Sequence, residues 1–239
     1  MKLLAALSLW GFLFGQGDKP AAERESAVRP PIEQRLAKAG LHRGDPVFIR
    51  IFKQDNRLEL WLAEGGRYRL FQTYPICKWS GDLGPKVREG DHQAPEGFYA
   101  VTPGQMNPHS KYHKAFNLGF PNAYDRAMGR SGSALMVHGA CGSVGCYAMT
   151  DPGIDEIYDL MSDAFARGQG QVAVDILPFR MTPANLAAHA ASPWTGFWRS
   201  LAPADAQFRT SGRPAPVFSC QGRYAFVTGP GCQTVRAAT

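Results

Sequence analysis

Glycine and proline punctuate this chain from end to end, and that alone bars a bundle of long helices. Twenty-six glycines and eighteen prolines interrupt it, and each glycine or proline weakens a helix interior. What remains between them are short runs, the material of strands and turns. From Pro46 these runs alternate. Val47, Ile49 and Ile51 interleave with Phe48, Arg50 and Phe52, and Leu58, Leu60 and Leu62 follow in the same period. Gly65-Gly66 then turns the chain into Tyr68, Leu70 and Gln72, which predicts a β-hairpin. Phe98 to Val101, Ala134 to Val137 and Gln171 to Leu177 read as further strands.

Helical spacing is rarer. Ile32, Leu36 and Leu41 share one side of a short helix after Pro30-Pro31. Asp151-Pro152 gives a cap and first-turn signal for a helix carrying Ile154, Ile157, Tyr158, Met161 and Phe165, stopped by Gly168. Thr182-Pro183 and Ser192-Pro193 each predict another short helix, the second with Trp194, Phe197, Trp198 and Leu201 on its apolar side. Two stretches read as long loops: Trp79 to Gly97, and Gly104 to Arg130, the latter with many polar and aromatic residues.

At the N-terminus, Lys2 precedes an apolar run from Leu3 to Phe14 and a small-x-small site, Gly15-Gln16-Gly17. That is the layout of a cleaved secretory signal, about half the length that spans a bilayer. The expected organisation is a signal peptide over 1–17, a mobile segment and short helix over 18–45, a catalytic domain over 46–181, and a C-terminal helical and β extension over 182–239. Export predicts a periplasmic or envelope protein that is not integral to the membrane. The net charge is +6, but the 26 basic residues are scattered, so nucleic acid is not an expected partner.

An exported chain with five cysteines is expected to pair some and leave one over. Cys220 and Cys232 flank a short glycine-containing stretch suited to a local disulfide. Cys77 with Cys141 is a second candidate pair that sequence does not establish. Cys146 is then the free thiol.

The segment that carries chemistry runs from Val137 to Met149. A strand delivers His138, a loop with Gly139, Gly142, Ser143 and Gly145 follows, and Cys146 comes eight residues after the histidine. A thiol beside an imidazole makes a nucleophile with its own base. Glycines let the backbone approach a reacting carbonyl and aim amides at a developing oxyanion. Two other readings stay open at this point. His138 and the cysteines can simply be core residues, or His138, Cys141 and Cys146 can ligate zinc with a distant fourth ligand such as His113 or His109.

The His138-Gly139 pair followed by Ser143-Val144-Gly145-Cys146 resembles the active-site motif of the YkuD-type L,D-transpeptidase family, and Cys141 through Met149 is similar to its YafK-like branch. The resemblance continues through Tyr74 to Cys77, Ser80 to Lys86, Pro95 to Tyr99 and Asn117 to Asn122, covering about Ile32 to Val227. It implies a mainly β fold with flanking helices, an L,D-transpeptidase-like β-sandwich catalytic domain. It implies that Cys146 attacks amide bonds of diaminopimelate-containing peptidoglycan stem peptides without cofactor or metal. His138 would serve as base and acid, and the Gly139 carbonyl would orient the ring. Ser143 would occupy the motif's hydroxyl position, with the Gly145 and Cys146 amides facing the oxyanion. Tyr112, His113 and Asn117 are candidates to line the peptide groove or, equally, to close loops. The wider family has histidine where this chain has Val144 and arginine where it has Ala148. That departure implies a different acyl donor or acceptor, and the resemblance to the YafK-like branch implies hydrolysis, releasing a stem peptide or a wall-linked lipoprotein, in preference to cross-linking. The alternatives are a cross-linking transpeptidase and a non-catalytic peptidoglycan-binding module.

Overall fold

The computed structural model describes residues 29–237. The expected signal sequence over 1–17 lies outside the described residues. Helix α1 (Ile32–Ala39) buries Leu36 and ends at Gly40, whose left-handed φ of 68° lets its amide close back on the last turn.

Strands β1 (Val47–Phe52), β2 (Arg57–Glu64) and β3 (Arg67–Lys78) form an antiparallel meander. Beyond them come β4 (Gly97–Val101), β5 (Met106–Ser110), β6 (His113–Asn117), β7 (Met136–His138), β8 (Tyr147–Met149) and β9 (Val172–Leu177). All nine join one sheet in the order β4-β9-β1-β2-β3-β8-β7-β6-β5. The twelve-residue β3 bridges its two halves, pairing with β2 along most of its length and with β8 at its end. Its ladders slip register between Leu60 and Trp61 and again between Ile76 and Lys78. Such bulges bend and twist a strand, and here they curl the sheet. The expected mainly β architecture with flanking helices is present.

Helices α2 (Ala123–Ala127), α3 (Asp151–Ala166), α4 (Pro183–Ala188) and α5 (Thr195–Ser211) flank the sheet. Ile154, Ile157, Leu160, Met161 and Ala164 of α3 join the strand residues Ile49, Leu60, Tyr147 and Val174 in the main core. On the other side, Trp198 and Leu201 of α5 pack with Phe52, Phe98, Leu177 and Phe179. A small sheet, β11-β10-β12, formed by β10 (Val217–Cys220), β11 (Arg223–Ala225) and β12 (Cys232–Arg236), adds Val217 and Tyr224 to that second cluster. Cys220 and Cys232 are register partners in it and are disulfide-bonded.

Three expectations need correction. The stretch from Gly104 to Arg130 is not one loop, for it holds β5, β6 and α2. Its strands are short, and β5 is an outer edge strand that tolerates Pro108, so no apolar alternation marks it. Helix α3 is capped by Thr150, which accepts from the Gly153 amide at 3.2 Å, rather than by Asp151. Helix α5 starts at Thr195 rather than at Ser192-Pro193, because the Ser192 hydroxyl closes a turn onto the Trp194 amide.

Candidate active site around Cys146 and His138

Strands β7 and β8 are parallel neighbours, with Val137 opposite Tyr147 and His138 opposite Ala148. Continuing that register sets Cys146 opposite Met136, two residues from His138. Alternate residues share a face, so the thiol and the imidazole emerge on one side, their Cα atoms roughly 8 Å apart from the strand rise and spacing. Parallel neighbours ordinarily need a crossover of a dozen residues or more. Here the connection is the short loop between His138 and Cys146, and it turns tightly through left-handed Ala140 (φ 63°), Cys141 (φ 48°) and Gly145 (φ 90°).

Three ties hold that turn. The Ala140 amide donates to the Asp151 carboxylate at 2.7 Å, the Cys141 amide donates to the Met149 carbonyl at 3.2 Å, and Cys141 is disulfide-bonded to Cys77 at the end of β3. The disulfide consumes Cys141 and takes apart the zinc set imagined from His138, Cys141 and Cys146. Gly139 is required by space. A Cβ there would lie 2.6 Å from an Asp151 oxygen and 3.0 Å from His113 Cβ.

His138 is buried, and its Nδ1 lies 2.7 Å from the Gly139 carbonyl oxygen. A carbonyl only accepts, so Nδ1 carries the proton and Nε2 is left with a free lone pair. Burial lowers the imidazole's pKa below its ordinary 6.5, against the opposing pull of the Gly139 carbonyl. The Tyr112 ring covers the imidazole, with centroids 4.8 Å apart and planes inclined by 30°, and the Lys111 ammonium lies 5.0 Å from the centre of that tyrosine ring.

Cys146 is the free cysteine among the described residues. Its sulfur accepts from the Met136 amide at 3.4 Å and donates to the Ala134 carbonyl at 3.7 Å. Burial raises the thiol's pKa above its ordinary value, opposed by the Met136 amide and the Lys86 charge. Both groups are therefore neutral at neutral pH. Thiol and imidazole share a cavity of about 380 Å³ lined also by Tyr112, Ala140, Gly142, Ser143 and Val144.

The amides expected to face an oxyanion are engaged elsewhere. Gly145 N–H donates to the Ser80 hydroxyl, and Cys146 N–H donates to Ser143 Oγ at 2.9 Å, while that hydroxyl in turn donates to the Cys146 carbonyl at 2.7 Å. Ser143 thus closes a turn around the cysteine. His113 and Asn117 do not line the cavity. His113 Nε2 pairs with Asp155 on α3 at 2.8 Å, and the Asn117 side chain accepts from the Gly119 amide at 2.8 Å. Tyr112 does line it. Sequence reasoning missed Asp151 as a support for the loop and Ser80 as a partner of Gly145, since neither carries a local signal of its reach.

Residues 46–176 match the family model for the YkuD L,D-transpeptidase catalytic domain. The chain is 50% identical over 181 residues to proteins named "Putative L,D-transpeptidase YafK" in Escherichia coli strains K12 and O157:H7, spanning 76% of this chain and 74% of each relative. Among solved structures, the helical cell shape determining protein Pgp2 of Campylobacter jejuni, as its K307A mutant, aligns at 21% identity and a TM-score of 0.46 over 76% of this chain and 66% of its own. Bd1075 of Bdellovibrio bacteriovorus aligns at 14% identity and a TM-score of 0.43, over 80% and 92% respectively. The family model and the half-identical relatives settle membership: this chain belongs to the YkuD L,D-transpeptidase catalytic-domain family.

Proposed function

We propose that this protein is a cysteine amidohydrolase of the cell envelope that opens amide bonds in diaminopimelate-containing peptidoglycan peptides. The observation that carries the reading is the common cavity of Cys146 and His138, with the imidazole tautomer set by Gly139. In this scheme the thiol turns from the Ala134 carbonyl toward Nε2 and gives up its proton as sulfur attacks the amide carbonyl. The C–N bond breaks, the imidazolium protonates the leaving amine, and a thioester remains on Cys146. Water then adds, with His138 again taking a proton, and the acid and free thiol are released. An amine in place of water would give a new amide and make the enzyme a transpeptidase.

Hydrolysis is favoured because the rim is open, with Tyr112 42% and Val144 69% exposed, so water reaches the thioester. The bond released would join a stem peptide to its neighbour or to a wall-linked lipoprotein. Mass spectrometry of muropeptides after incubation of purified sacculi with the protein tests the proposal. Loss of cross-linked or protein-linked species that requires Cys146 supports hydrolysis. New cross-links would assign transfer instead, and an unchanged profile would remove the enzyme reading.

A further inference from the structure

Lys53 follows β1 and is fully buried. Its ammonium donates to the carbonyls of Asp82, Gly84 and Ala94 at 2.8, 3.0 and 3.1 Å and pairs with the buried Glu96 carboxylate at 3.1 Å. Glu96 in turn accepts from the Gly84 amide at 2.7 Å and from the Trp198 indole at 2.8 Å. A buried ammonium is costly unless its donors are all used, and here they are spent on gathering the loop between β3 and β4. That loop has no regular secondary structure of its own, so side-chain bonds such as these, with those of Asp91 and Gln93, hold its shape.

The same loop grips the chain on both sides of Cys146. Ahead of the cysteine, the Gly145 amide donates to Ser80 Oγ, which itself donates to the His92 carbonyl at 2.7 Å, while the Ser80 carbonyl accepts from the Ala94 amide at 2.9 Å. Behind it, the Tyr147 hydroxyl donates to the Pro95 carbonyl at 2.6 Å. Ala94 and Pro95 adjoin Glu96, so both ties lead to one buried ion pair.

We infer that Ser80 and Tyr147 are positioning residues that fix the Cys146 sulfur within its cavity, with the Lys53–Glu96 pair as their common anchor. This rests on the nucleophile role proposed for Cys146. Neither residue touches the reacting atoms. Each acts by denying the backbone at 145–147 the small displacements that misalign a nucleophile, where about 1 Å can cost on the order of a hundredfold in rate.

The test uses Ser80→Ala, Ser80→Thr and Tyr147→Phe in the full chain, with Cys146→Ala as control and a soluble muropeptide as substrate. Hydrogen exchange over 143–149 reads the ties without reference to catalysis. The expected result is exchange about tenfold faster there in Ser80→Ala and Tyr147→Phe, as for a loop freed of one protecting bond. Alongside it, kcat falls tenfold to a hundredfold with KM within about twofold, and Ser80→Thr recovers most of the loss. If Ser80→Ala does not fold, Tyr147→Phe carries the test alone. Folded variants with wild-type exchange or wild-type kcat overturn the inference while leaving the nucleophile in place. Full activity in Cys146→Ala removes the underlying reading instead.

Discussion

His138 donates its Nδ1 proton to the carbonyl of the residue that follows it, Gly139, across 2.7 Å. One backbone oxygen thereby selects the tautomer, and among the described residues no carboxylate pairs with the ring. Burial lowers the imidazole's pKa and outweighs the upward pull of the Gly139 carbonyl.

The pH dependence follows from that sign. The base works as neutral imidazole, so kcat/KM falls as pH drops through the folded enzyme's imidazole pKa, which lies below the ordinary 6.5. Activity on a muropeptide should therefore still exceed about half of its plateau at pH 6.5, with the acid limb centred at lower pH. An acid limb centred above 6.5 contradicts this.

Removing either member of the pair separates their roles. Cys146→Ala should abolish covalent labelling by a thiol-reactive probe and all turnover. His138→Gln should leave the thiol present while lowering kcat about 10²- to 10⁴-fold, the usual contribution of a general base. Intact-mass spectrometry and muropeptide turnover check both.

Tyr112 presses a ring on the imidazole, and an aromatic pair of this kind contributes about 0.5–1.5 kcal/mol. Tyr112→Phe keeps that contact and should hold kcat/KM within about twofold of wild type, whereas Tyr112→Ala should lower it roughly threefold to tenfold. Equal losses in both variants would point to the hydroxyl rather than the ring.

The Cys77–Cys141 disulfide closes a loop of 64 residues and anchors the strained turn before Cys146. Chain entropy for that loop gives about 4 kcal/mol of stabilisation. Cys77→Ala/Cys141→Ala, which keeps the Cys220–Cys232 disulfide, should therefore melt roughly 10 °C lower than wild type by calorimetry in the absence of reductant.

Asp91 makes an acid-sensitive clasp on the loop between β3 and β4. Burial pushes its carboxyl up, but the amides of Arg88, Val87 and Gln93 and the Lys86 ammonium outweigh that and hold it at about 2. A depressed carboxylate stabilises the fold above its unfolded value of 3.8 and loses that contribution as pH falls toward 2. Denaturant melts of wild type and Asp91→Asn should differ most near pH 6, with the difference shrinking as pH falls through 3.8 and vanishing only below about pH 2.

Much of this was legible in the chain. Alternation marked β1, β2 and β9, and α3 announced itself through Ile154, Ile157 and Met161, because strand and helix periods arise between residues a few positions apart. His138, Gly139 and Cys146 stood out for the same reason, lying within one short segment whose residue types have chemical meaning together. The family followed from that motif and its flanking segments. Nothing local, however, says that Asp151 will serve Ala140 rather than cap its own helix, that Ser80 will take the Gly145 amide, or that Lys53 will be buried against Glu96. Nor does composition reveal that His113 turns to Asp155 while its neighbour Tyr112 covers the imidazole. These are choices among partners distant in sequence, made only when the curled sheet brings its loops together and each buried donor must find an acceptor. Residue chemistry and period were written in the sequence; which groups meet, and hence how the thiol is held, was decided by the tertiary fold.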